Sequence, residues 1–82
     1  MESFAGKVAV ITGAGSGIGR ALAQALAAEG CNLALVDINE AGIAETARSV
    51  SMNNVRVSTH LASVADRERM SLLPQEIEGI HG

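Results

Sequence analysis

Aromatic residues are almost missing from this chain of 82 residues: there is one Phe and no Tyr or Trp. Large rings usually anchor cores and interfaces, so their scarcity points to a unit that is incomplete by itself. Lysine is nearly absent too, Lys7 being the only one. Six basic residues against nine acidic give a formal net charge of −3. Nucleic acid is gripped through clustered Lys and Arg. The basic residues here are scattered, so no nucleic-acid partner is expected. No apolar run reaches the length of a membrane span, and no membrane partner is expected either. Met1-Glu2-Ser3-Phe4 lacks the basic start and apolar stretch of a secretory signal. The single cysteine, Cys31, excludes an internal disulfide. That fits a reducing cytoplasm, the expected location. At the start of an apolar strand, Cys31 reads as a small buried hydrophobe.

What the chain does have is Ala, Val, Ile and Leu, which supply nearly all of a 48% hydrophobic fraction. Two kinds of segment alternate. Val8-Ala9-Val10-Ile11 is a continuous β-branched run, as in a strand buried on both faces of a parallel sheet. A glycine-rich turn follows. A helix then carries Ile18, Ala21, Leu22, Ala25 and Leu26 at helical spacing, with Arg20, Gln24 and Glu29 facing elsewhere, and ends at Gly30. Leu33 to Val36 is a second strand ending at Asp37. A second helix, roughly Glu40 to Ser51, carries Ile43, Ala44, Ala47 and Val50 on one face. Asn53-Asn54 is a turn. Val55 to Leu61 is a third strand, with Val55, Val57, Thr59 and Leu61 on one face. Asp66 caps a third helix with Met70, Leu73 and Ile77 on its apolar face, and Pro74 inside it predicts a kink or a break.

The β-α-β-α-β-α pattern predicts an α/β, Rossmann-like unit. Its three-stranded parallel sheet is in order 3-2-1, joined by right-handed crossovers, with no linker anywhere in the 82 residues. The first two helices belong on one face, and the third begins the crossing to the other.

Thr12-Gly13-Ala14-Gly15-Ser16-Gly17-Ile18-Gly19 ends the first strand and opens the first helix. A helix N-terminus presents unpaired N–H groups and the positive end of the dipole, which suits phosphate. A phosphate-loop motif needs Gly-Lys after its spacer, and no Lys follows here. The usual dinucleotide fingerprint also fails in register, because counting from Gly13 puts Ile18 at the last glycine position. A tight turn with no ligand is the plainer alternative. Four glycines are more than such a turn needs, each costing about 0.5–1 kcal/mol.

The T-G-x-x-x-G-I-G octet resembles the short-chain dehydrogenase/reductase family, and Lys7 to Ile11 looks like that family's first strand. The resemblance spans essentially the whole chain, which reads as the N-terminal portion of a single dinucleotide-binding domain. It implies an oxidoreductase moving hydride between a nicotinamide cofactor and an alcohol or ketone carbon, on a small-molecule substrate bound by the full-length parent. It also implies a fourth strand ending in Asn-Asn-Ala-Gly, a catalytic Ser and a Tyr-x-x-x-Lys motif. None of these occurs in the sequence, so the chain is expected to hold no catalytic residue and to be inactive alone. A non-catalytic nucleotide-binding fragment is the alternative. A methyltransferase-like fold is disfavoured because Thr12 stands where an acid is usual.

By the same resemblance Gly13, Ser16, Gly17, Ile18 and Gly19 of the turn touch the cofactor. So do Asp37 and Ile38 after the second strand, and Ser63 and Val64 after the third. An acid at Asp37 can accept hydrogen bonds from the adenosine ribose and repel the extra phosphate of NADP. Users of NADP tend to carry a basic residue where Ser16 or Ile38 stands. NAD is therefore expected over NADP. Ser63 replaces the family's usual Asp, which predicts a weaker or water-bridged contact with adenine. His60 and His81 have no partner at metal-ligand spacing and are expected at a surface or edge. Without a fourth strand the first becomes an apolar edge, so self-association or a homo-oligomer is expected.

Overall fold

The computed structural model describes residues 5–82; Met1 to Phe4, on which the reading of the N-terminus rests, lie outside the described residues. Three strands form one parallel sheet in the order β1-β2-β3: β1 is Val8–Thr12, β2 is Asn32–Asp37 and β3 is Val57–Leu61. β2 is the middle strand, and its run of four residues Leu33 to Val36 is fully buried. Alternation along it feeds two cores. Leu33 and Leu35 meet Ile11, Ala14, Ala23, Ala27, Ile43 and Val50 on the face covered by helices α1 (Gly17–Ala28) and α2 (Glu40–Ser49). Ala34 and Val36 meet Ala62, Leu73 and Ile77 on the face covered by helix α3 (Arg67–His81). The expected topology and the expected division of helices between faces both hold.

Asp66 caps its helix as expected, and Asn39, not singled out in the sequence, caps another. Asn39 and Asp66 accept the N–H groups of Gly42 and Arg69 at the starts of α2 and α3. Gly30 follows α1 with φ +82°, and Asn54 takes the left-handed conformation at φ 59°. α2 stops at Ser49, two residues earlier than expected, and a single 3-10 turn over Ser51–Asn53 leads to Asn54. α3 continues through Pro74 without the break that was one of the two expectations there. The neighbouring Leu73 and Ile77 are clamped into the core against the sheet, and that packing outweighs the lost backbone donor.

The buried stripe of α1 is not the one its largest apolar residues mark. Ile18 is 88% exposed and Leu22 48%, while Ala23 and Ala27 are buried. A Cβ built on Gly19 would stand 2.1 Å from the Gly13 carbonyl oxygen. The helix lies so close to the β1 turn that only Gly19, Ala23 and Ala27, spaced by four, fit beneath it.

β3 begins at Val57, two residues later than expected; Val55, just before it, and Val57 pack on the α1/α2 core, but Thr59 and Leu61, expected on the same face, are exposed. The buried residues of the strand are instead Ser58 and His60, beneath α3. This overturns the surface placement of His60. Burial of Ser58 and His60 is tolerated because their side-chain polar atoms are paired. The Ser58 hydroxyl lies 2.7 Å from Nε2 of both His60 and His81. His60 Nδ1 meets the Glu76 carboxylate, which also accepts both terminal nitrogens of Arg69 at 3.1 and 3.2 Å. His81 is likewise not a frayed end: it closes the last turn of α3 onto β3. Cys31 is buried as expected. No described helix is long and apolar enough to cross a membrane.

β1 has no strand on its outer side among the described residues. Between it and α3 lies an open apolar groove of about 410 Å³, lined by Val8, Val10, Met70, Leu73, Pro74, Ile77 and Glu78.

Candidate functional site

The candidate residues gather where the three strands end. Parallel strands point their carboxyl ends the same way, so the loops after β1, β2 and β3 lie side by side. Backbone bonds stitch them together. The Ala14 N–H donates to the Val36 carbonyl at 3.1 Å, and the Ala62 N–H to the Asp37 carbonyl at 3.1 Å. That row brings Gly13 to Gly19, Asp37-Ile38 and Ser63-Val64 onto one rim. Ile18, Ile38 and Val64 are all exposed there.

The glycines of the turn divide into two kinds. Gly17 has φ +55° and nothing within 4 Å of where a Cβ would stand. It opens α1 facing free space, in a conformation that disfavours any side chain. Gly13 is similar at φ +65°. Gly15 and Gly19 are instead packed against protein. A Cβ on Gly15 would lie 2.7 Å from Asp37 Oδ2.

The N-terminus of α1 is left open. Ser16 stands at its cap position, yet its side chain makes no cap bond, and the first turn carries no acidic residue. α2 and α3 differ on both counts, with side-chain caps and acids Glu40 and Glu68 in their first turns. The free N–H groups and dipole end of α1 therefore meet solvent beside Gly17, an arrangement that attracts an anion.

Asp37 is fixed by three backbone N–H groups. Its Oδ2 accepts from Gly15 at 2.8 Å, and its Oδ1 accepts from Ile38 at 2.7 Å and Asn39 at 3.2 Å. The Gly15 bond is the largest influence on its acidity. Together with the Asn39 and Ile38 bonds it outweighs partial burial and holds the carboxyl below its ordinary value of 3.8. Asp37 is thus a firm anion. A carboxylate offers about four acceptor positions, so roughly one remains, on Oδ2.

Ser63 makes local bonds within its own turn. Its hydroxyl accepts the Ala65 N–H at 3.2 Å, and its carbonyl accepts the Asp66 N–H at 2.9 Å. Val64 is exposed beside it.

Four residues outside the expected set belong to the same arrangement: Gly15, Arg20, Gly42 and Thr46. Arg20, expected on a solvated face, folds back instead. Its Nη2 donates to the carbonyls of Gly15 at 2.7 Å and Gly42 at 3.2 Å, and its Nε to Thr46 Oγ1 at 2.9 Å. The signal in the sequence was Gly42, an isolated glycine in a helical pattern, which marks close backbone approach. A Cβ there would meet the Gly15 carbonyl oxygen at 2.5 Å.

Known proteins share this fold. A family model described as short chain dehydrogenase matches residues 7–82. The protein SadH of Mycobacterium tuberculosis is 52% identical over 68 residues, covering 83% of this chain and 25% of SadH. A short chain dehydrogenase/reductase from Burkholderia phymatum, solved in complex with NAD, superposes with a TM-score of 0.91 at 36% identity, over 100% of this chain and 29% of that one. A metagenomic short-chain oxidoreductase in complex with NADP superposes at 0.89 with 25% identity, over 99% of this chain and 37% of that one. The chain thus spans about a quarter of the length of SadH, and its structural neighbours include both NAD and NADP complexes.

Proposed function

The chain belongs to the short-chain dehydrogenase family, and on that premise we propose that it forms the grip for the adenosine diphosphate part of a nicotinamide dinucleotide. The observation that carries this is the 2.8 Å bond from the Gly15 N–H to Asp37. It ties an open, anion-attracting helix N-terminus to a firm carboxylate on the same rim. In this reading Gly13, Ser16, Gly17, Ile18 and Gly19 receive the diphosphate. Asp37 and Ile38 flank the adenosine ribose, and Ser63 and Val64 the adenine.

When bound, the cofactor supplies hydride chemistry; these residues supply binding and orientation. The open acceptor position of Asp37 Oδ2 takes one ribose hydroxyl. A second hydroxyl competes with the Asn39 N–H, the longest of the three bonds. Ser63 is shorter than a carboxylate side chain and uncharged, so it holds adenine weakly. NAD is preferred over NADP, because the Asp37 anion repels a phosphate on the ribose.

The whole protein moves hydride between the nicotinamide and an alcohol or ketone carbon in the cytoplasm, and residues 1–82 are one portion of its dinucleotide-binding domain. No Tyr occurs in these 82 residues, so the second reading, nucleotide binding without turnover, describes this chain taken alone. Calorimetric titration of wild type and Asp37→Ala with NAD and NADP tests the proposal. Loss of NAD affinity by about 1–3 kcal/mol in the variant is expected. Equal affinities across the four pairings would show that Asp37 does not read the ribose.

A further inference from the structure

We propose that Thr46 and Arg20 form a positioning clamp that fixes the Gly15 peptides and, through them, the Asp37 carboxylate, and so set how the adenosine ribose is read. The clamp's role toward the ribose rests on the dinucleotide reading above.

Gly15 is held through both of its peptide planes. The Ala14 carbonyl accepts the Thr46 hydroxyl at 2.6 Å, while the N–H of that same peptide, on Gly15, donates to Asp37 Oδ2 at 2.8 Å. Peptide planarity means that holding the carbonyl aims the N–H. The next carbonyl, that of Gly15, accepts Arg20 Nη2 at 2.7 Å.

Arg20 also orients Thr46. The hydroxyl has one proton to give. Arg20 Nε donates into Oγ1 at 2.9 Å, which leaves that proton for a carbonyl. Ala14 at 2.6 Å is nearer than Gly42 at 3.1 Å. Thr46 is 0% exposed, so no water competes for the bond. The whole clamp depends on close approach, because a Cβ on Gly42 would stand 2.5 Å from the Gly15 carbonyl oxygen. Its parts come from the β1 turn, α1, the end of β2 and the first turns of α2, and it makes Asp37 one rigid piece with the glycine turn.

Thr46→Val keeps the shape and removes the hydroxyl; Thr46→Ser keeps the hydroxyl. Asp37 is followed by carbon NMR titration without cofactor, and each protein is then titrated with NAD and NADP. Thr46→Val is expected to let the Asp37 carboxyl titrate closer to its ordinary value of 3.8, to weaken NAD binding about tenfold, and to narrow the NAD over NADP ratio. Thr46→Ser is expected to restore all three. Should Thr46→Val not fold, Arg20→Met, altered on a half-buried helix position, carries the same comparison. Identical Asp37 titration in all of the proteins overturns the clamp. A shifted Asp37 with unchanged NAD affinity overturns its link to the ribose. If wild type binds neither dinucleotide the functional reading falls, and the Asp37 titration still decides the clamp.

Discussion

Replacing Gly19 by Ala should damage this fold far more than replacing Gly17 by Ala, although both stand in the first turn of α1. At Gly19 the added carbon would lie 2.1 Å from the Gly13 carbonyl oxygen, 2.7 Å from its carbonyl carbon and 3.0 Å from Ala14 Cα. All three are backbone atoms, so no side chain can swing aside. Relief requires α1 to move off the β1 turn by roughly 1 Å, which opens the contacts of Ala23 and Ala27. Overpacking typically costs 1–3 kcal/mol, and a rigid backbone clash puts Gly19→Ala at about 3 kcal/mol or more. At Gly17 the added carbon meets nothing within 4 Å, and the cost is the left-handed φ of +55°. That conformation costs about 1–2 kcal/mol for an L residue, partly offset by a stiffer unfolded chain, leaving about 1 kcal/mol. In a domain of this size each kcal/mol moves the melting temperature by about 4–8 °C. Thermal unfolding followed by circular dichroism should therefore show a drop of about 4–8 °C for Gly17→Ala. Gly19→Ala should lose about 12 °C or more, or its cooperative transition altogether. If Gly17→Ala loses as much as Gly19→Ala, close helix-to-turn packing is not what Gly19 serves.

Stability should also fall toward acid in stages. Burial, then the charges of Arg56 and His60, hold His81 below its ordinary value of 6.5. The unfolded chain thus takes up that proton first, and stability declines as pH falls below 6.5 until the folded His81 itself titrates. Glu76, held low by Arg69 and His60, and Asp37, held low chiefly by Gly15, have ordinary values of 4.5 and 3.8. Each loses its contribution as pH falls below those values and through its lower folded one. Urea midpoints across this range should show the upper stage in wild type and not in His81→Gln; a flat wild-type profile down to 4.5 would refute the His81 assignment. Gly17→Val should lose dinucleotide binding while keeping its circular dichroism, because the new side chain fills the space where the diphosphate is proposed to lie; unchanged affinity in a folded variant would move the phosphate site elsewhere. Met1–Gly82 prepared alone should form no NADH from a panel of secondary alcohols, for want of a Tyr, and turnover surviving removal of contaminants would contradict this. The same polypeptide should self-associate through its β1 edge, where Val8 is 39% and Val10 55% exposed; a single monomeric species in sedimentation velocity across a tenfold concentration range would count against it.

The sequence by itself determined the elements and their order. Apolar runs, helical spacing, the capping residue Asp66, and the turns at Gly30 and Asn54 act over a few residues, and their physics is local. The glycine octet and Asp37 were legible for the same reason, each standing at the end of a recognisable strand. Only the tertiary structure decided which side of α1 is buried. Periodicity marks an apolar stripe, but the distance of approach at Gly19 admits Ala23 and Ala27 and leaves Ile18 and Leu22 outside. It alone decided that Ser58 and His60 lie beneath α3, because their partners Glu76 and His81 come from another element. The bonds of Arg20 and Thr46 to Gly15, Gly42 and Ala14 join residues as far as 32 positions apart. No local spacing encodes the pairs that join α2 to the glycine turn and α1, since they form only when the sheet has already brought these segments together.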